Sequence, residues 1–226
     1  MSVPQAVRAL IFDFDGVLAD TEALHCAAFQ AVAGTIGVTL TRDDYFRRFL
    51  GLPDRACLAA LCAGAGRRLG AGELDDLCAR KCAAFARLVP TAQLYAGAAD
   101  SVRRLHARVI LAIASGAFRD EIEPILVRAA VRDLFTAVIG AEDVRAGKPA
   151  PDPFLRALDA IQRRDRTRIA AAECVVIEDS PNGVIAAHAA GMRCVGVTTH
   201  HDRAALGAAE AVIEHVSQLR LEDLRA

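Results

Sequence analysis

The chain has 226 residues, 54% of them hydrophobic and 24% charged, enough apolar material for a sizeable core and too much for a disordered chain. Its formal net charge of −1 leaves no electrostatic footprint for nucleic acid or for an anionic membrane surface. No stretch reaches the ~18 apolar residues of a membrane span, and the start MSVPQAVRAL has no basic flank followed by a long apolar segment, so a soluble, cytoplasmic protein is expected.

The first apolar run, VRALIFDF (7–14), reads as a fully buried strand, and it runs into two acids one residue apart, Asp13 and Asp15. From about residue 20 to residue 90 the rhythm changes. That stretch is rich in Ala, Leu and Arg, shows helical periodicity, and is punctuated by Gly37, Gly51–Pro53, Gly64–Gly66 and Gly70–Gly72. Apolar runs then return at 107–115, 135–143, 174–180 and 193–199, with a weaker one at 211–215, and helical patterns fall at 98–107, 119–130, 152–162 and 182–190. Continuous rather than alternating hydrophobicity in strands separated by helices predicts an α/β fold, a Rossmann-like, doubly wound parallel sheet covered on both faces. The expected organisation is therefore a core of residues 1–19 and 92–226 with an all-helical insertion at 20–91.

Seven cysteines include no Cys-x-x-Cys pair; Cys57, Cys62, Cys78 and Cys82 sit four or five residues from a neighbour in helical sequence and read as small buried hydrophobes of a reducing compartment. Only Lys81 and Lys148 are lysines among 27 basic residues. A lysine in such a chain is a candidate for a site that needs a compact ammonium rather than a planar fork.

In an open parallel sheet, ligands sit beyond the carboxyl ends of the strands. The unusual polar groups of this sequence fall there four times: Asp13 and Asp15, then Ser115-Gly116, then Lys148 in AGKPAPDPF, then Glu178-Asp179 in VVIEDSPNG. Each alone has an ordinary reading as a helix cap, a turn or a solvated lysine. In this order on successive strand ends they point to one site. Asp13, Asp15 and Asp179 form an all-oxygen set suited to Mg²⁺, which would also neutralise carboxylates that otherwise repel each other. Ser115, the backbone N–H of Gly116 and Lys148 would cradle a phosphoryl group. A carboxylate in that setting can act as nucleophile and form an aspartyl-phosphate, and a second can serve as general acid and base.

With these motifs in place, the chain resembles the haloacid dehalogenase-like superfamily over essentially its whole length. DFDGVL is similar to its first motif, ASG to the second, the lysine of GKPAPD to the third and IEDSPNG to the fourth. The helical insertion resembles the small cap of the β-phosphoglucomutase and phosphoglycolate-phosphatase branch. The resemblance implies Asp13 as nucleophile, Asp15 as acid/base that also offers its backbone carbonyl to the metal, Ser115 and Lys148 as phosphoryl ligands, and Asp179 as a Mg²⁺ ligand with Glu178 close by or bound to the metal through water. It further implies substrate-facing residues in the cap: Thr21 and His25 in DTEALH, Arg55 in GLPDR, and Lys81 in ARKCAAF. The presence of Asp15 and of the acidic pair speaks against dehalogenation. Apolar Ala117-Phe118 stands where mutase-like members carry polar residues.

The expected activity is hydrolysis of a small phosphorylated metabolite, a sugar phosphate among the candidates, by a monomer or small homo-oligomer. The alternatives are a β-phosphoglucomutase-like phosphotransferase and a non-catalytic phospholigand-binding protein. His200-His201, after the fifth apolar run, read as a solvated loop pair.

Overall fold

Val, Ile, Leu, Ala and Cys dominate the short runs that become six strands: β1 (Ala9–Phe12), β2 (Ile110–Ala114), β3 (Ala137–Ile139), β4 (Cys174–Glu178), β5 (Arg193–Val197) and β6 (Ala211–Ile213). In the computed structural model, which describes residues 6–50, 52–166 and 168–224, they form one sheet in the order β3-β2-β1-β4-β5-β6, every pair parallel. The order reverses at β1, which lies between β2 and β4. That is the switch point at which side chains from two directions of winding meet.

The chain divides into two compact units, one comprising residues up to Asp20 and from Gln93 onward, the other Thr21–Ala92. Among the described residues the second unit holds four α-helices, α1 (Glu22–Thr35), α2 (Arg42–Arg48), α3 (Asp54–Gly64) and α4 (Ala71–Leu88). Helix α4 packs against α1 and α3. Their shared core includes Phe29, Val32, Tyr45, Phe49, Leu58 and Leu61. Helix α2 starts where the Thr41 hydroxyl accepts the Asp44 N–H at 3.0 Å, a local cap that satisfies an otherwise orphaned donor.

In the first unit, α5 (Ala98–His106), α6 (Arg119–Arg128), α7 (Asp152–Asp165) and α8 (Pro181–Ala189) connect the strands. Alternation along the strands divides the side chains between two faces. Ile11, Ala112, Ala137 and Val176 point to the face covered by Phe154 and Ile161 of α7 and by Val184 and Ala187 of α8. Helix α5 packs on β2. Phe12 meets Phe135 edge-on, ring centres 6.2 Å apart. With both faces buried, the strands need no polar side, hence their unbroken hydrophobicity.

The predicted run at 135–143 is a strand only to Ile139. Its last three residues, Ala141–Asp143, form a 3-10 turn, because the Asp143 carboxylate turns back to accept the Gly140 N–H at 2.9 Å. All seven cysteines are free thiols, five buried and two half-buried. Among the described residues, no helix is long and apolar enough to cross a membrane.

Candidate active site

The sheet register decides which polar side chains meet. Phe12 is level with Ile113 on one side and Ile177 on the other, so the next residue, Asp13, comes level with Glu178. The Asp13 N–H continues the ladder by donating to the Ile177 carbonyl at 2.9 Å, and the Ser115 N–H does the same to Ile139 at 3.0 Å. Asp13, Ser115 and Glu178 are thereby fixed by main-chain bonds at the carboxyl ends of three neighbouring central strands. All three are buried, as is Asp179.

Three of these carboxylates converge. Asp13, Glu178 and Asp179 each present an oxygen, and the three oxygens lie within 4.8 Å of one another. Lys148 sits among them, its Nζ 2.8 Å from Asp13 Oδ1 and 2.5 Å from Glu178 Oε1. The contact with the buried Asp13 Oδ1 is an ion pair. Lys148 reaches the acids from the loop before α7, where the Lys148–Pro149 peptide is cis. Its ammonium also lies 5.2 Å from the centre of the Phe154 ring.

Glu178 is completely buried and accepts, besides Lys148, the Ser180 N–H at 2.8 Å and the Ser180 hydroxyl at 2.9 Å. Its carboxylate lies against the Cα of Gly183, where a Cβ would fall 1.8 Å from Glu178 Cδ. Gly16 has the same function on the other side of the cluster. Its φ is +78°, and a Cβ there would stand 2.1 Å from Asp179 Oδ2. The glycines of DFDG and SPNG are thus spaces that the acids occupy, a signal present in the sequence and not used in reading it.

Burial pushes the Asp13 carboxyl well above its ordinary range, against the pull of Lys148 and with the help of the neighbouring acids Glu178, Asp179 and Asp15. Burial likewise raises Asp179, partly offset by a hydrogen bond from His200. Burial alone would lower Lys148, but Asp13 and Glu178 outweigh it and hold the ammonium above its usual range. Three buried carboxylates facing one ammonium leave an excess of negative charge on an oxygen-only donor set. That chemistry fits a hard divalent cation and not a thiophilic one.

The other predicted residues are placed as follows. Asp15 is half-buried on the turn 14–19, tied by Gly16 N–H to Ala19 and by Leu18 and Ala19 N–H to Phe14; its carboxylate is not part of the acidic group of three. The buried Ser115 hydroxyl accepts the Ala117 N–H at 3.1 Å, and Gly116 is exposed beside it. In the helical unit, Thr21 is buried at the start of α1, and its carbonyl accepts the His25 N–H. Lys81 is buried as well, with Nζ 2.8 Å from His25 Nδ1, 2.8 Å from Asp54 Oδ2, and about 5 Å from the Phe29 and Phe85 ring centres. His25 stacks on Phe85, and burial together with Lys81 holds its imidazole well below the usual range. Arg55 is exposed and paired with Asp75. Gly51 of the GLPDR segment lies outside the described residues.

The histidine pair corrects the sequence reading. His200 and His201 are not simply solvated: His200 Nδ1 lies 2.7 Å from Asp179 Oδ2, and His201 Nδ1 lies 3.0 Å from the Asp179 carbonyl. The turn after β5 brings both back over the end of β4, a contact between strand neighbours that no local pattern announces.

A parallel sheet with its acids gathered at the switch point defines an α/β enzyme site, and residues 10–197 match the haloacid dehalogenase-like hydrolases. The chain belongs to that family. It is 31% identical over 216 residues to the validoxylamine A 7'-phosphate phosphatase of Streptomyces hygroscopicus subsp. limoneus, covering 94% of this chain and 96% of the relative. It is 30% identical over 222 residues to the β-phosphoglucomutase of Bacillus subtilis, covering 96% and 93%. Among solved structures it resembles CbbY from Rhodobacter sphaeroides in complex with phosphate, with a TM-score of 0.79 and 25% identity over 94% of this chain and 96% of that one.

Proposed function

We propose that this chain is a Mg²⁺-dependent phosphatase of a small phosphorylated metabolite, of the sugar-phosphate kind. The observation that carries the reading is the meeting of Asp13, Glu178 and Asp179 with Lys148 at the carboxyl ends of parallel strands, in a chain of this family. The phosphatase relative, similar over nearly its full length, supports it.

Asp13 and Asp179 would hold the cation, with Glu178 beside them and the Asp15 carbonyl as a further ligand. When bound, the cation supplies charge neutralisation for the acids and for a phosphoryl group. Asp13 then serves as nucleophile: its oxygen forms a bond to phosphorus while the bond from phosphorus to the ester oxygen breaks. Asp15 gives that leaving oxygen its proton. In the second half Asp15 takes a proton from water as the water oxygen attacks phosphorus, and the bond to Asp13 breaks, returning both acids to their starting state. Lys148 and the Ser115 hydroxyl, with the Gly116 N–H, carry the phosphoryl oxygens, positioning that does most of the work in this chemistry. The helical unit 21–92 is assigned the selection of substrate, with Thr21, His25, Arg55 and Lys81 as its candidate residues.

A second reading, phosphoryl return to a hexose instead of to water, is favoured by the similarity to a β-phosphoglucomutase. One experiment separates the two. Purified protein with Mg²⁺ is given a panel of sugar phosphates and other phosphomonoesters, with inorganic phosphate and the interconversion of hexose 1- and 6-phosphates measured in parallel. Steady phosphate release without isomerisation is expected. Isomerisation without release establishes the mutase, and no turnover of any ester removes both.

A further inference from the structure

His200 stands outside the motifs that define the family resemblance, yet it touches the acid cluster. Its Nδ1 lies 2.7 Å from Asp179 Oδ2, and its side chain is only 13% exposed. An ionised carboxylate only accepts, so Nδ1 carries the proton and donates. The segment that presents it is tethered: the Thr198 N–H donates to the Ile213 carbonyl at 3.0 Å and the Thr199 N–H to Val197 at 2.9 Å. Space for the pair comes from Gly16, where a Cβ would stand 2.1 Å from Asp179 Oδ2 and 2.7 Å from His200 Nδ1. His201 holds the same residue from the main-chain side, through the Asp179 carbonyl at 3.0 Å. Three loops, after β1, β4 and β5, are therefore shaped around one carboxylate.

We propose that His200 is a positioning residue for the metal site, its Nδ1–H fixing the Asp179 carboxylate in the orientation that receives a divalent cation. This rests on the metal-site reading given above. An unbound carboxylate at the start of a loop can rotate about its Cβ–Cγ bond. A charge-assisted hydrogen bond to one oxygen removes that freedom before the ion arrives, and partners of this kind are worth ~10–100-fold in metal affinity.

The test is Mn²⁺ binding, by calorimetry and by loss of the free-ion paramagnetic resonance signal, on wild type, His200→Asn and His200→Phe. Asn places an N–H donor near the position of Nδ1 and loses bulk; Phe keeps the bulk and loses the donor. Thermal midpoints in chelator report whether each variant folds. The expected result is wild-type-like affinity for the Asn variant, to within about threefold, and a loss of ~10-fold or more for the Phe variant, without matching losses of metal-free stability. Wild-type affinity in the Phe variant overturns the proposal. So does a tenfold loss in a folded Asn variant, which alone decides the matter should the Phe variant not fold. Failure of wild type itself to bind Mn²⁺ removes the metal-site reading and not this contact alone.

Discussion

Gly183→Ala sets helix propensity against close packing, and the structure decides the sign. Ala is the better helix former by about 1 kcal/mol, and Gly183 lies in the first turns of α8. The added Cβ, however, would fall 1.8 Å from Glu178 Cδ and 2.0 and 2.3 Å from its two oxygens. Glu178 would have to withdraw by ~2 Å to reach ordinary contact. It cannot do so and keep the Lys148 ammonium at 2.5 Å, the Ser180 N–H at 2.8 Å and the Ser180 hydroxyl at 2.9 Å. Disturbing a buried, hydrogen-bonded ion pair costs about 3–5 kcal/mol in all. With the propensity gain subtracted, the net loss is roughly 2–4 kcal/mol, or a drop in Tm of about 5–15 °C for a chain of this length. Thermal denaturation of wild type and variant in chelator measures it. Because Lys148 is displaced too, kcat for a phosphomonoester should fall ~10–100-fold. A variant as stable as wild type or more so would refute the reasoning, since Glu178 would then have somewhere else to go at no cost.

Asp13→Asn should lower turnover by at least ~10³-fold while leaving the metal-free protein as stable at pH 7 or more so, because one buried like charge is gone; retained turnover would remove the nucleophile assignment. The pH dependence has a definite sign. A carboxyl raised on folding contributes stability that is fully present below its ordinary value of 3.8 and is lost as pH rises through its raised native value. Chelated wild type should therefore lose Tm, relative to the Asn variant, as pH is raised above the ordinary carboxylate range, and the gap between the two should not depend on pH if Asp13 does not titrate as inferred. Lys81→Met removes the ammonium between Asp54 and His25, and since Asp54 keeps a third of its side chain in water the expected cost is only ~1–3 kcal/mol, read by urea denaturation. A larger fall in kcat/KM for a sugar phosphate than for p-nitrophenyl phosphate would assign Lys81 to recognition; equal falls would assign it to structure.

What the sequence disclosed followed from period and position. A strand buried on both faces has no polar side, so Ala9–Phe12 and Cys174–Glu178 stand out as unbroken apolar runs, and an acid at the end of such a run is conspicuous. Short or peripheral strands were less distinct: the last three residues of the 135–143 run belong to a turn closed by Asp143, and β6 is three half-buried residues at the sheet edge. Contacts between distant segments were legible only where both partners follow strand ends, as with Asp13, Lys148 and Glu178; the others were not. Lys81 meets its partner His25 from 56 positions away, and His200 meets Asp179 only because β5 lies beside β4. The histidine pair carries no periodicity, cap or spacing to mark it. Gly16 and Gly183 were visible as letters, but what they make room for is a property of side chains folded onto them.

Lys148 makes part of the charge balance of this acid nest a fixture of the chain itself. Its ammonium bridges Asp13 and Glu178, so two of the three gathered acids are held by a cation that is covalently tethered and cannot be diluted or chelated away.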